Sequence, residues 1–262
     1  MWTDSSHVTK VHIPAHLVGL VSLAFVAFHF SWVSVASFLF FNLWISGLGM
    51  SVGFHRYFTH KSFETSKFWW WAMLIGGSLA GQGSPIFWVA LHRQHHPSSD
   101  TAKDIHSPHE KGLWHAYMGW IFQFDTSQVE LSRAIDLIRD PRCKFVHRNY
   151  ENLMHIYWLF LIALVLYVPA TANFVAGALI AGMWAIHQEA LINSVCHDPR
   201  FGIAQYPTKD HSRDVRWLQY VTWGQSLHNS HHAFPSTANF GTHFRPDLGY
   251  RLIRLIRKTH HE

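Results

Sequence analysis

The chain has 262 residues, 48% of them hydrophobic and only 14% charged, whereas a soluble domain carries about 25% charged residues. Its net charge of +5 is modest and requires no nucleic acid, and two cysteines, Cys143 and Cys196, build neither a disulfide framework nor a thiolate metal site. Thirteen tryptophans and twenty phenylalanines point to a membrane interface, and twenty-three histidines point to bound metal.

Residues 1–10 are short and polar. From Val11 to His55 there is no Asp, Glu, Lys or Arg. That run is too long for one membrane span, for which about 20 residues suffice. It predicts two helices in a tight hairpin, roughly 13–30 and 33–53, turning near His29-Phe30-Ser31-Trp32. Gly47, Gly49 and Gly53 permit close helix packing in the second. The first apolar run leads straight into another, which does not fit a cleavable signal peptide.

Phe68 to Ala80 is apolar but ends at Gly81-Gln82-Gly83-Ser84-Pro85. It is too short to span and reads as an interfacial or buried helix, with Trp69-Trp70-Trp71 at the headgroup level. Between Glu151 and Glu189 lies a second charge-free stretch, broken at Pro169-Ala170-Thr171-Ala172-Asn173. Two further spans are expected there, roughly 152–168 and 174–195. Near the end, Arg251, Arg254, Arg257 and Lys258 alternate with Leu252, Ile253, Leu255 and Ile256, an amphipathic basic helix suited to an anionic membrane surface.

The expected fold is an all-α integral membrane protein, a single domain over 1–262 with no internal repeat. Four transmembrane helices form two hairpins, and residues 54–151 and 196–262 form a helical cap. This topology puts all twenty-one Lys and Arg, and both termini, on one side. The positive-inside rule makes that side cytoplasmic.

The clustered histidines fall on the same side. His92, His95 and His96 stand at i, i+3 and i+4, and His228, His231 and His232 repeat the spacing. His55 and His60 form a looser pair, and Asn193 and His197 stand i, i+4 at the end of a predicted span. Nine imidazoles exceed the four ligands of a typical zinc ion and fit two metals with four or five nitrogens each. Imidazole suits several metals. Iron is favoured by the setting: a membrane surface, no obvious hydrolytic carboxylate, and long apolar helices to receive a lipid chain. Ligating histidines usually give their second nitrogen to a carboxylate or carbonyl. Asp100, Asp104, Asp210, Asp214 and Asp247 are the candidates. His106, His109, His115, His147, His155, His187, His211 and His243 are left as surface, outer or substrate-side residues, and His260 and His261 as solvated.

These segments resemble the histidine boxes of the membrane fatty-acid desaturases, most closely the Δ9 (stearoyl-CoA-type) branch in its bacterial form. The resemblance rests on His55-Arg56 with His60, His92-Arg93-Gln94-His95-His96, Asn193-Ser194 with His197, and His228-Asn229 with His231-His232 and the following Phe234-Pro235. Thr208 to Arg213 and Asp247 extend it, over about residues 15–255. It implies two iron ions held by the nine histidines, with Asn193 holding a water on one of them. It implies O₂ as co-substrate, and a cis double bond introduced into a saturated acyl chain carried by CoA, acyl carrier protein or a membrane lipid. Gln82 and Trp88 match the pair that bends the substrate tunnel.

Two positions depart from the family pattern. Gln225 stands where Glu is usual, as a possible contact behind the ligands, and Glu189 stands where the animal branch has a tunnel-lining Thr. The short N-terminal segment does not carry over the animal enzymes' contacts to CoA. No His-Pro-Gly-Gly haem motif of a fused cytochrome b5 is present. The expected electron donor is a separate ferredoxin, rubredoxin or cytochrome b5-type protein, and the expected location a bacterial inner membrane. Hydroxylation, terminal desaturation or acetylenic chemistry on the same scaffold is the alternative. A metal transporter or sensor is a more distant one, because transport sites lie near the bilayer midplane.

Overall fold

The computed structural model describes residues 8–242 and 246–258, and His243, His260 and His261 lie outside them. The described residues are helical, with isolated β-bridges but no strand. Four helices are long and apolar enough to cross a membrane: α1 (Thr9–Phe28), α2 (Trp32–Thr59), α5 (Pro141–Tyr167) and α6 (Pro169–Val195). Between α2 and α5 lie α3 (Lys67–Leu79) and α4 (Pro85–Ser98). After α6 come α7 (His228–Ala233) and α8 (Leu248–Ile256).

Local chemistry explains where these helices start. Ser31 accepts the Val33 amide at 3.2 Å at the head of α2. Ser84-Pro85 and Asp140-Pro141 pair a capping side chain with a proline at the first helical position, where no amide is needed. Two helices overrun the expected spans. α2 continues to Thr59 and α5 begins at Pro141, because charged residues end an apolar run without ending a helix.

From Leu43 to Thr59 the winding of α2 is π-helical, and the His60 amide reaches the His55 carbonyl at 3.2 Å. On an α-helix a residue five places on is turned away by about 140°. The wider i→i+5 winding returns it to the same side. His55 and His60 share a face for this reason.

Packing around α2 sets the site. Gly49 lies so close to the backbone of Gly76 and Gly77 on α3 that a Cβ would collide with it. α6 approaches the start of α2 equally closely, and Ser37 Oγ donates to the Phe174 carbonyl at 2.6 Å. Large apolar side chains stay exposed along the outer faces, among them Leu17 and Leu20 on α1, Phe40 on α2 and Leu159 and Phe160 on α5. Such a belt is what hydrocarbon covers. Trp70 departs from the expected headgroup position: it is buried against Phe58, and the Arg142 guanidinium lies 3.7 Å from its ring centre.

α8 closes over the end of α2 through a fully buried ion pair. Arg56 Nη2 donates to both oxygens of Asp247, at 3.0 and 2.9 Å. Arg56 also donates to the Ser51 carbonyl at 3.0 Å and to Ser51 Oγ, and lies over the Phe240 ring. Asp247 further accepts the amides of Phe240 and Tyr250. Removing one partner of such a pair strands a buried charge at a cost of about 3–5 kcal/mol. Asp247→Ala is therefore expected to lower thermal stability in detergent sharply. The double variant Arg56→Leu/Asp247→Leu should lose less than Asp247→Ala alone; an equal or larger loss would count against this account.

Candidate metal centre

Three helix ends and one post-helical turn deliver the clustered histidines. α2 brings His55 and, at its C-terminal edge, His60. α4 carries His92, His95 and His96, and α7 carries His228, His231 and His232. His197 follows the end of α6. Arg93 ties α4 to the end of α2, donating to the carbonyls of Phe58 and Thr59 and, at 2.7 and 3.1 Å, to Asp136. Asn229 pins α7, accepting the amides of Gln205 and Tyr206 at 2.7 Å each.

The ring nitrogens gather into two groups, in each of which one ligand atom per residue lies within 4.8 Å of the others. His55, His60, His92, His96 and His231 form the first, and His95, His197, His228 and His232 the second. In the first, His55 Nε2 faces His231 Nε2 at 2.9 Å, and His96 Nε2 lies 3.1 Å from both His92 Nε2 and His231 Nε2. In the second, His197 Nε2 faces His228 Nε2 at 2.9 Å.

The two three-histidine motifs are thereby split in opposite senses. α4 gives two histidines to the first group and one to the second, and α7 gives one and two. Adjacent residues on a helix diverge by about 100°. His95 and His96, or His231 and His232, can therefore aim at different points. The groups adjoin, with the rings of His96 and His232 centred 4.6 Å apart.

Behind the second group stand three carboxylates. Asp100 meets His197 Nδ1 at 2.9 Å, Asp210 meets His232 Nδ1 at 2.6 Å, and Asp104 lies 3.2 Å from His95 Nδ1. His228 Nδ1 approaches the Gln225 carbonyl at 3.3 Å. At His197, His228 and His232 the engaged Nδ1 leaves Nε2 turned inward. Asp214 and Asp247 are placed further out. Asp214 accepts the amide and hydroxyl of Ser230 on α7, and Asp247 holds Arg56. His55 Nδ1 and His231 Nδ1 in the first group are buried without a hydrogen-bond partner, as is His95 Nδ1 in the second, but only His95 has a carboxylate beside it.

Burial and neighbouring imidazoles hold His92, His96, His228 and His231 well below the usual histidine range. The same causes lower His60 to about 3. Burial lowers His232 to about 4 against the pull of Asp210. At His95 burial also acts downward, but Asp104 outweighs it and raises the group. Burial alone would raise Asp100, yet hydrogen bonding from His197 holds it at about 2, and Asp104 and Asp210 are pulled down likewise by His95 and His232. Imidazoles held mostly in the neutral form, with ionised carboxylates behind them, suit a cation. Buried His60 Nε2 and His232 Nε2 lack a partner in the protein, as nitrogens reserved for metal would.

A cavity opens onto both groups. It is lined by Gln82, Trp88, Glu189, Asn193 and Gln225, beside His55, His92, His95 and His228. Trp88 stacks on His92, with ring centres 4.9 Å apart and planes 10° apart. His106, left aside in the sequence reading, is buried in this wall and lies 3.3 Å from Asp104. Its position two residues after Asp104 was the available signal. The other unassigned histidines are scattered: His115 meets the Ile105 carbonyl, His147 meets Ser84, His187 meets Tyr117, and His109 stacks on His211.

The family model described as "Fatty acid desaturase" matches residues 30–244. The chain is 33% identical over 258 residues to the sn-1 stearoyl-lipid 9-desaturase of Anabaena variabilis, covering 98% of this chain and 90% of that one. It is 33% identical to Delta-9 acyl-lipid desaturase 2 of Arabidopsis thaliana, covering 90% and 76% of the two chains. It is also 33% identical to the hex-5-enoyl-[acyl-carrier protein] acetylenase of Moorena producens, covering 92% and 80%. With two histidine clusters beside a cavity, four helices apolar and long enough to cross a membrane, and a family match over most of its length, this chain belongs to the fatty acid desaturase family and is an oxidoreductase of that kind.

Proposed function

We propose that the two histidine groups hold two iron ions and that the protein uses O₂ and two electrons to place a cis double bond in a saturated acyl chain, Δ9-type by its relatives' names. The observation that carries this reading is the pairing of five and four imidazoles beside one cavity. His55, His60, His92, His96 and His231 hold one ion. His95, His197, His228 and His232 hold the other, with Asn193 completing its shell through a water. Bound there, the irons supply the O₂ activation that no protein side chain can provide.

The remaining work falls to the chain itself. Trp88, stacked on His92, and Gln82, whose Nε2 reaches the Ile186 carbonyl at 3.5 Å, form the wall that bends the acyl chain toward the metals. Burial of the histidines keeps bulk water from the reacting carbons. Asp100, Asp104 and Asp210 hold the ligands in the tautomer that points Nε2 inward.

The substrate in this reading is a membrane acyl lipid, following the names of the first two relatives, with acyl-CoA and acyl carrier protein thioesters as the other carriers. Electrons come from a separate ferredoxin, rubredoxin or cytochrome b5-type donor. α1–α2 and α5–α6 are two hairpins in a bacterial inner membrane. The intervening and following helices form a single cap with the site and both termini on the cytoplasmic side. Support comes from the side on which every Lys and Arg falls. The acetylenase relative favours a second outcome on the same scaffold, further oxidation of a chain that already holds a double bond. Mass spectrometry of lipids from an expressing host separates the outcomes: saturated chains lighter by two hydrogens are expected, chains lighter by four would show further oxidation to an alkyne or diene, and chains heavier by one oxygen would replace this reading with hydroxylation.

Two substitution experiments test the metal assignment. His231→Ala and His95→Ala, one from each group, should each abolish activity and lower bound iron while membrane insertion persists. Full activity in either overturns the two-iron assignment. Asp210→Asn should weaken metal retention by about 10–100-fold in a chelator competition, the usual effect of losing an outer partner. Unchanged retention would remove Asp210 from that role.

A further inference from the structure

Glu189 is the one carboxylate among the residues that line the cavity. It sits on α6 four residues before Asn193 and is 6% exposed. Across the cavity Gln225 Nε2 donates to Glu189 Oε1 at 2.7 Å, and Gln225 is 2% exposed. The Gln225 carbonyl is in turn the group approached by His228 Nδ1. The two departures from the family pattern are thus one feature: an acid and an amide bonded to each other, within the wall that also presents His55, His92, His95 and His228.

This pair is poorly suited to bare hydrocarbon. A methylene chain laid against a buried carboxylate leaves that carboxylate short of the solvation it had in water. A carboxyl group has two oxygens, of which the Gln225 amide engages Oε1. The remaining capacity suits a donor carried by whatever fills the cavity. We propose that Glu189, held by Gln225, is a polar subsite that selects acyl chains bearing a hydroxyl near the carbons facing the histidine groups over unsubstituted chains. The proposal rests on the desaturase reading for the presence of an acyl chain and adds which chain is preferred.

The test uses the full-length protein loaded with zinc, which fills histidine sites but has no redox chemistry, so ligands bind without being converted. A saturated acyl ester competes with hydroxylated esters of the same head group and length, the hydroxyl walked through mid-chain, and bound lipid is counted by native mass spectrometry. One hydroxylated isomer should be favoured about tenfold, the worth of one well-made buried hydrogen bond. Glu189→Leu should abolish or reverse that preference. The exchange Glu189→Gln/Gln225→Glu should keep it, because acid and amide stay in contact. Where Glu189→Leu does not retain metal, Glu189→Gln carries the comparison and should lower the preference several-fold. A wild-type preference for the plain ester, or a ratio unmoved by loss of the carboxylate, overturns the subsite. Failure of the iron-loaded wild type to oxidise any acyl chain overturns the desaturase reading instead.

Discussion

A buried imidazole can serve a cation only when it is neutral and its free nitrogen points inward. Nine imidazoles from four separate segments are held here within two adjoining groups. Burial and mutual proximity favour the neutral form, and most strongly so where no carboxylate stands behind the ring, as at His92 and His231. That environment is costly to fold, because converging lone pairs repel and several ring nitrogens have no partner in the protein. The rest of the molecule bears this cost through packing that leaves the rings no alternative position.

That packing begins with α2. Its π winding turns a five-residue spacing into a shared face, so His55 and His60 converge. Its glycines let α3 approach at backbone distance, and α4 is then held against the end of α2 by Arg93. Its last turns are clamped by Arg56 and Asp247, which tie in α8. These contacts all lie where α2 leaves its apolar stretch. Stability and ligand geometry therefore draw on the same few turns of helix.

The two groups are not equivalent. Carboxylates stand behind His95, His197 and His232 in the second, whereas His55 and His231 in the first have none at Nδ1. The imidazoles of the second group are thus the more strongly electron-donating. Both groups present rings to the cavity wall that carries Asn193 and the Glu189–Gln225 pair, His55 and His92 from the first and His95 and His228 from the second.

The amino-acid sequence by itself determined the helical membrane character, since long charge-free runs have no other stable use, and it determined which histidines matter, since their spacing repeats. It also placed Gln82, Trp88 and Glu189 near the histidines through resemblance. Tertiary structure alone decided how the nine divide five to four, because adjacent residues on one helix diverge and only the position of the facing helix says which group each ring joins. It alone separated Asp100, Asp104 and Asp210 from Asp214 and Asp247, which are chemically alike but sit behind different neighbours. It brought in His106, an unremarkable histidine until the fold of the segment after α4 turned it into the cavity wall. It joined Glu189 to Gln225 as well, a contact between residues far apart in the chain that local pattern cannot encode.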